Sequence, residues 1–496
     1  MKKIGCDKPC QARRRSALMT SATMLGAIVC AVAMLAGCAS PRPAVAPKAA
    51  LSAAQAGATG TTTPWPASAW WTTWGDTELT TLVDTALARQ PALQQVQARL
   101  VQAQAAVDVA GAARAPQVNA SVELSDQRFT KNGLIPPPLA GAVKWNNSAT
   151  ISASWELDLF GRQRATLDAA IGQLQAGRAD AQAARVLLAA NVASAYVSLA
   201  RLVEAKELAD QALAQREQVL ALVRQRISAG LDTTVDLRQA EGFIAQSRTE
   251  RESFDEAIVR ARHALAELTG QGPDALASLA PRLSPVKGAP LPDALPADLL
   301  GRRADLVAQR WRVEAALKDV DVARAQFYPN INLSAFVGLS SLGLDRFVNA
   351  GSETYGFGPA LRLPIFDGGR LRANLGAKRA EVDIAIEGYN ATLLRALREV
   401  ADELASLRSL ERQQAAQADA TTAAEAAFDL SLQRYRAGLG NYLVVLTAET
   451  NVIAQRRAAS DLRGRQLAEQ VALIRALGGG YEADAQTLPP TLASAH

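Results

Sequence analysis

Histidines, cysteines and short active-site motifs are the features through which this sequence could carry chemistry. Its 496 residues include two histidines, His263 and the terminal His496, and four cysteines. The motifs GxxxxGK(S/T), HExxH and GxSxG do not occur in it. His263 lies in a stretch of helical composition, where a surface or packing position is far commoner than a catalytic base. We therefore expect no catalytic residue, no metal site and no cofactor.

All four cysteines precede residue 39, and they predict lipidation rather than disulfides. A basic start and an uncharged apolar run over 16–37 have the layout of a secretory signal, which would remove Cys6, Cys10 and Cys30. Leu35-Ala36-Gly37-Cys38 resembles the bacterial lipobox, which implies that Cys38 is acylated and becomes the first mature residue. An uncleaved membrane anchor is the alternative. We predict a signal peptide over 1–37 and a lipidated, flexible Pro/Ala/Gly/Thr-rich tether over 38–64.

The formal charge of +5 lies in the predicted signal peptide, whose six basic residues outweigh its one aspartate by that amount. The mature chain is then close to neutral. Because proteins that bind a phosphate backbone need a basic surface, we expect no nucleic-acid partner.

The rest of the chain reads as a duplication. Shifted by 213 residues, 107–110 (VDVA) falls on 320–323 (VDVA), and shifted by 208, Ala229-Gly230-Leu231 falls on Ala437-Gly438-Leu439. The order of the matches is the same in both halves. We predict a first repeat over 65–275, a linker over 276–296, a second repeat over 297–480 and a C-terminal tail over 481–496.

Each repeat is predicted to contain two strands and three helices, one of them very long. In the first repeat the helices are 76–114, 162–227 and 233–268, and the strands are 117–125 and 149–159. A helix over 162–227 would be about 99 Å long, and its apolar residues keep a heptad spacing typical of coiled-coil packing.

The four strands alternate apolar with polar or small residues over about ten positions, which is typical of transmembrane β-barrels and also of soluble sandwiches. The lipobox and the long helices favour the barrel. We expect Trp155, Leu157, Phe357 and Leu361 to face lipid, and we expect a water-filled lumen to be faced by Glu156, Asp158 and Arg362. Four strands cannot close a barrel, because an open edge in lipid leaves backbone groups unpaired, so the chain must oligomerise.

Five motifs together resemble the TolC-like outer-membrane efflux factors of the lipoprotein subclass. They are Trp70-Trp71 with Gly75-Asp76 and Leu79, 112–116 (AARAP), 155–162 (WELDLFGR), 302–306 (RRADL) and 363–370 (LPIFDGGR). Ala304 departs from the proline that the family usually has between arginine and aspartate. The resemblance covers essentially the whole mature chain.

The resemblance implies a homotrimer in which four strands per chain form a twelve-stranded transmembrane barrel continuous with a twelve-helix periplasmic α-barrel. It places the strand-to-helix corners at Gly161, Arg162, Gly368, Gly369 and Arg370. It implies a passive outer-membrane exit duct for drugs or other small toxic compounds. The expected partners are outer-membrane lipid, a periplasmic adaptor and an inner-membrane transporter.

The same resemblance places the periplasmic tips at two helix-to-helix turns. The tip residues, expected to contact the adaptor, are Ala229, Gly230, Leu231, Ala437, Gly438 and Leu439. Asp236 matches the acidic gate position of the family, and Arg226 and Arg434 are its predicted pairing partners.

Three alternatives remain. A duct for secreted proteins shares the fold and differs only in its partners, and the sequence does not separate it from a drug duct. A periplasmic adaptor lipoprotein would also have long heptad hairpins but would not need four amphipathic strands. A lipoprotein hydrolase would need a nucleophile and a base, which the sequence does not supply.

Overall fold

The computed structural model describes residues 49–51, 66–283 and 302–481. The predicted signal peptide, Cys38 and His496 lie outside these residues, as do most of the tether and tail and part of the linker. The described chain forms two compact units. One comprises 105–171 and 314–385 and carries the strands. The other comprises the remaining described residues and consists of helices.

The strand-bearing unit contains one antiparallel sheet of four strands in chain order: β1 (Gln117–Arg128), β2 (Val143–Leu157), β3 (Asn330–Leu342) and β4 (Glu353–Arg362). The strand predicted over 149–159 begins earlier, at Val143, because β2 pairs along the full length of β1. It ends at Leu157. Strands β1 and β4 are the two edges of the sheet.

The register joins the apolar residues of all four strands into one face, since directly paired residues of antiparallel strands lie on the same side. This apolar face contains Val118, Ala120, Val122 and Leu124 of β1, Ile151, Ala153, Trp155 and Leu157 of β2, Ile331, Leu333, Ala335 and Val337 of β3, and Tyr355, Phe357, Pro359 and Leu361 of β4. It is solvent-exposed in the single chain, with Phe357 91% and Tyr355 81% exposed. The opposite polar face carries mostly Ser, Thr, Asn and Gly. The predicted grouping of Trp155 with Phe357, opposite Glu156, is therefore present in the sheet.

Each repeat also contains a helix of 67 residues followed by one of 35. They are α3 (Arg162–Ser228) and α4 (Thr234–Leu268) in the first repeat, and α6 (Arg370–Arg436) and α7 (Tyr442–Ala476) in the second. The bounds agree with the predicted helices to within one residue in the first repeat. At about 1.5 Å per residue, α3 is about 100 Å long.

The helix predicted over 76–114 is divided into α1 (Thr77–Arg89) and α2 (Pro91–Ala112). Gln90 takes an extended conformation, because the ring of Pro91 disfavours the helical region for the residue before it. Asp76 caps α1 by accepting from Leu79 N (3.0 Å), and it also accepts from the hydroxyl of Tyr196 (2.6 Å). The Gly75-Asp76 motif thus fixes α1 against α3.

One hydrophobic core of the helical unit contains residues of α1, α3, α4 and α7. Trp70, Leu79, Val192, Leu199 and Leu265 are among its buried residues. By length and composition α3 has an apolar stretch that could cross a membrane, but half of that stretch is buried.

In the second repeat, α5 (Ala304–Ala325) begins beside a paired arginine and aspartate. Arg303 binds both carboxylate oxygens of Asp305, at 3.0 and 2.6 Å. Ala304, which replaces the usual proline of the motif, is the first residue of α5, where proline is favoured but not required.

Candidate functional site

The Gly-Arg corners join a strand to a long helix through left-handed glycines. Gly161 has φ +73°, and Gly368 and Gly369 have φ +65° and +91°. A side chain at these positions would be strained, so glycine is required by the backbone rather than by packing. The long helices α3 and α6 begin directly after these glycines, at Arg162 and Arg370.

A carboxylate at each corner caps the long helix. Asp158 accepts from Gln163 N (3.0 Å) and Arg164 N (2.8 Å), and Asp367 accepts from Gly369 N (2.9 Å) and Leu371 N (2.8 Å). Three of these donors, in Gln163, Arg164 and Leu371, are N–H groups of the first helical turn that have no partner in the helix. The expectation that Asp158 lies on the lumen side of a strand is therefore replaced by a capping role, since β2 has ended at Leu157.

The polar side of the first corner holds an ion pair beside an open cavity. Arg162 Nη2 lies 2.6 and 2.7 Å from the two carboxylate oxygens of Glu156. Together with Asn332 and Arg362 they line a cavity of 790 Å³. Arg370 lines a second cavity of 380 Å³ at the same junction.

The two helix-to-helix turns, here called the tips, end α3 and α6 in the same way. Gly230 (φ +74°) and Gly438 (φ +76°) are left-handed, and the next residues, Leu231 and Leu439, donate back to Arg226 O (2.9 Å) and Arg434 O (2.8 Å). This geometry exposes the leucines, at 63% and 70%. Ala229 and Ala437 are exposed as well.

A buried cluster joins the two tips within the helical unit. Arg226 donates to both carboxylate oxygens of Asp232, at 3.1 and 3.2 Å, and to Tyr435 O at 2.8 Å. Its guanidinium lies 4.4 Å from the centre of the Tyr435 ring, and the Tyr435 hydroxyl donates to Asp232. The bonds with Asp232 raise the pKa of Arg226. The cluster of Arg226, Asp232 and Tyr435 therefore holds the end of α3 against the end of α6.

The sequence analysis pairs Arg226 with Asp236, whereas within the described chain Arg226 pairs with Asp232. Asp236 belongs to the capping box of α4, where it accepts from Thr233 N (2.9 Å) and Oγ1 (2.7 Å). Arg434 is exposed. The sequence analysis did not select Asp232. Its position directly before Thr233, the capping residue of α4, could have identified it as a candidate. In the second repeat Gly440 stands at the equivalent place, so the cluster has one carboxylate per chain.

Glu449 is a buried acid between the two hairpins. It is 1% exposed, its Oε2 lies 3.8 Å from Arg216 Nε, and Oε1 has no hydrogen-bond partner among the described residues. Burial raises the pKa of Glu449 to about 7, although the nearby Arg216 favours the charged form. The hairpin core thus contains a carboxyl group that titrates near neutral pH.

We expect Glu449→Gln to stabilise the purified protein at pH 8 but not at pH 5. The folded chain binds this proton more tightly than the unfolded chain, so stability is lost as pH rises from 4.5 to about 7. The loss is on the order of 2–3 kcal/mol per chain. Thermal unfolding at both pH values measures it. Glu241→Gln, at the matching place in the first repeat with a 34% exposed side chain, is the control. The prediction would be contradicted if the unfolding temperature depended on pH equally in the wild type, Glu449→Gln and Glu241→Gln.

The described residues hold no cluster of His, Cys, Asp and Glu that could bind a metal ion. His263 is an exposed residue of α4.

Comparison with known proteins identifies the family. The protein-family model described as "Outer membrane efflux protein" matches residues 82–271 and 295–479 of this chain. The fusaric acid resistance protein FusA of Burkholderia cepacia is 40% identical over 375 residues, covering 73% of this chain and 70% of FusA. The multidrug resistance outer membrane protein MdtP of Escherichia coli K12 is 32% identical over 427 residues, covering 84% and 88%.

A solved structure of an outer membrane protein is also similar to this chain. The outer membrane protein VceC of Vibrio cholerae matches with a TM-score of 0.79 and 35% identity, covering 84% of this chain and 100% of VceC. The family match spans most of the chain, in two parts that follow its two repeats. The chain therefore belongs to the outer membrane efflux protein family, and it is an efflux channel of the outer membrane.

Proposed function

We propose that the chain is the passive exit duct of a tripartite pump that exports drugs or other small toxic compounds. An inner-membrane transporter supplies the energy, and a periplasmic adaptor joins it to the duct. The names of FusA and MdtP, which refer to fusaric acid and multidrug resistance, support this substrate class.

One observation carries the proposal: a four-stranded sheet with an exposed apolar face, a polar face and two unpaired edges. An apolar face of this size suits lipid, and a polar face suits a water-filled lumen. The edges must pair with other chains, because lipid offers backbone groups no hydrogen bonds. In the proposed trimer, β4 of each chain pairs with β1 of the next to give a twelve-stranded barrel.

The four long helices of each chain extend the duct. Three chains supply twelve, which we propose form the periplasmic tunnel that ends at the tips. The cluster of Arg226, Asp232 and Tyr435 holds the tunnel end narrow, and Asp236 and Arg434 remain candidates for contacts between chains there. The exposed tip residues Leu231 and Leu439 offer the adaptor an apolar contact.

Cysteine crosslinking tests the orientation and the partner together. We expect Ala229→Cys and Ala437→Cys, both exposed at the tips, to crosslink in cells to the adaptor. Lys131→Cys, in the exposed loop between β1 and β2, is the matched control and is expected not to do so. If only Lys131→Cys crosslinked to an adaptor, the proposed orientation of the duct would be reversed. If the protein were a monomer in mild detergent, the proposed trimer would be wrong.

We also expect the mature protein to begin with an acylated Cys38. Mass spectrometry of the purified N-terminus measures the added lipid. Cys38→Ala should mislocalise the chain yet still allow trimers, because the barrel rather than the lipid holds the membrane. An unmodified Cys38 in the wild-type protein would contradict this part of the proposal.

A further inference from the structure

The polar face of the sheet carries one large aromatic side chain, Phe336. Along β3 its neighbours on that face are Ser334 and Gly338, and its directly paired residues are Ser152 on β2 and Gly356 on β4. The only other large apolar residue on this face of the four strands is Leu342, at the end of β3. Phe336 is 44% exposed. In a water-filled lumen, the hydrophobic effect would not favour an apolar ring at this position.

Gly356 provides the space that the ring occupies. A Cβ atom at Gly356 would lie 2.7 Å from Cε1 and 3.0 Å from Cζ of Phe336, which is too close. Gly356 is not among the glycines with positive φ, so the backbone does not require glycine there. The missing side chain lets the ring of Phe336 lie next to Gly356 of β4 while the residue stays partly exposed.

Phe336 is also central in the strand. It is the middle residue of β3, Asn330–Leu342, roughly 20 Å from either end. In a trimeric barrel the three copies would lie at one height, halfway along the lumen. Aromatic rings attract flat apolar groups and organic cations, and small neighbours leave this ring accessible.

We propose that Phe336 is a contact site for exported solutes that carry aromatic or cationic aromatic groups. The ring provides such solutes with an aromatic contact in a lumen lined otherwise mostly by Ser, Thr, Asn and Gly, and it favours them over equally charged solutes without rings. This inference rests on the proposed function, because it requires the polar face to line the lumen. A merely structural role, in which the ring shields the backbone at Gly356, predicts no such preference.

Thiol labelling in outer membranes tests two claims separately: that the polar face lines the lumen, and that Phe336 contacts aromatic solutes. Ser152→Cys places a thiol directly across from Phe336, and Ile151→Cys places one on the apolar face. A membrane-impermeant methanethiosulfonate reagent is expected to label Ser152→Cys and not Ile151→Cys. The reverse result, in assembled trimers, would overturn the lumen assignment and with it the proposed function.

The second measurement addresses Phe336 alone. Tetraphenylphosphonium should slow the labelling of Ser152→Cys roughly threefold or more, whereas tetraethylammonium, with the same charge and no ring, should not. The effect should vanish in Ser152→Cys with Phe336→Ser and persist with Phe336→Tyr or with Leu342→Ser. Equal slowing with and without the ring at residue 336 would overturn the proposal while leaving the duct intact.

Discussion

Replacing Ile151 with arginine is expected to abolish assembly of the protein in the outer membrane, whereas Ser152→Arg is expected to assemble. Ile151 lies near the middle of β2, is 54% exposed, and pairs with Ala120 and Val337 on the apolar face. An arginine facing lipid near the bilayer midplane costs about 2–4 kcal/mol, and each trimer would contain three. The neighbouring Ser152 faces the other side, where water solvates a guanidinium.

The two variants form a matched pair, since they add the same side chain at adjacent positions of one strand. Cell fractionation and the trimer content in mild detergent measure the outcome. We expect Ile151→Arg to leave little trimer in the outer membrane and Ser152→Arg to remain close to wild type. Equal assembly of both variants would mean that the apolar face does not contact lipid.

Asp232→Ala is expected to open the tunnel end. The side chains of Asp232 and Arg226 are only 6% and 10% exposed, so removal of the carboxylate leaves a guanidinium buried without its counter-charge. Breaking a buried pair in this way costs about 3–5 kcal/mol. The Tyr435 hydroxyl loses its acceptor as well. The end of α3 is then no longer held to the end of α6, and the open conformation gains population.

Single-channel conductance in planar bilayers and the sensitivity of cells to large antibiotics measure this opening. Asp236→Ala is the control, because it removes an exposed helix cap worth about 1 kcal/mol and leaves the buried cluster intact. We expect it to raise conductance less than Asp232→Ala does. If Asp232→Ala conducts like the wild type, the buried cluster does not hold the gate.

Local periodicity explains why the repeated elements could be predicted. The helix predicted over 162–227 is observed as Arg162–Ser228, and the one over 233–268 as Thr234–Leu268. The heptad spacing of 162–227 and the glycine that follows this segment, Gly230, are local signals, because each can be recognised from residues that are close in sequence. The early start of β2 was missed because 146–148 (NNS) interrupts the apolar alternation, and only pairing with β1 extends the strand through it.

The candidate site was predicted less completely, since its contacts join distant parts of the chain. Asp232 and Tyr435 are 203 residues apart, and no local pattern indicates that they meet. The resemblance therefore predicts Asp236, at the family's acidic position, as the partner of Arg226. Asp158 was placed by strand alternation alone, whereas the unpaired N–H groups at the start of α3 decide its role.

The unpaired edges of the sheet have a genetic consequence. In a ring closed by β4 of one chain against β1 of the next, both edge strands of every subunit must be able to pair. A chain damaged only at β4 would still present an intact β1 to its neighbours, and it would enter rings that then cannot close. Alleles that damage one edge are therefore expected to be dominant over a wild-type copy, whereas alleles that prevent folding of the chain are expected to be recessive.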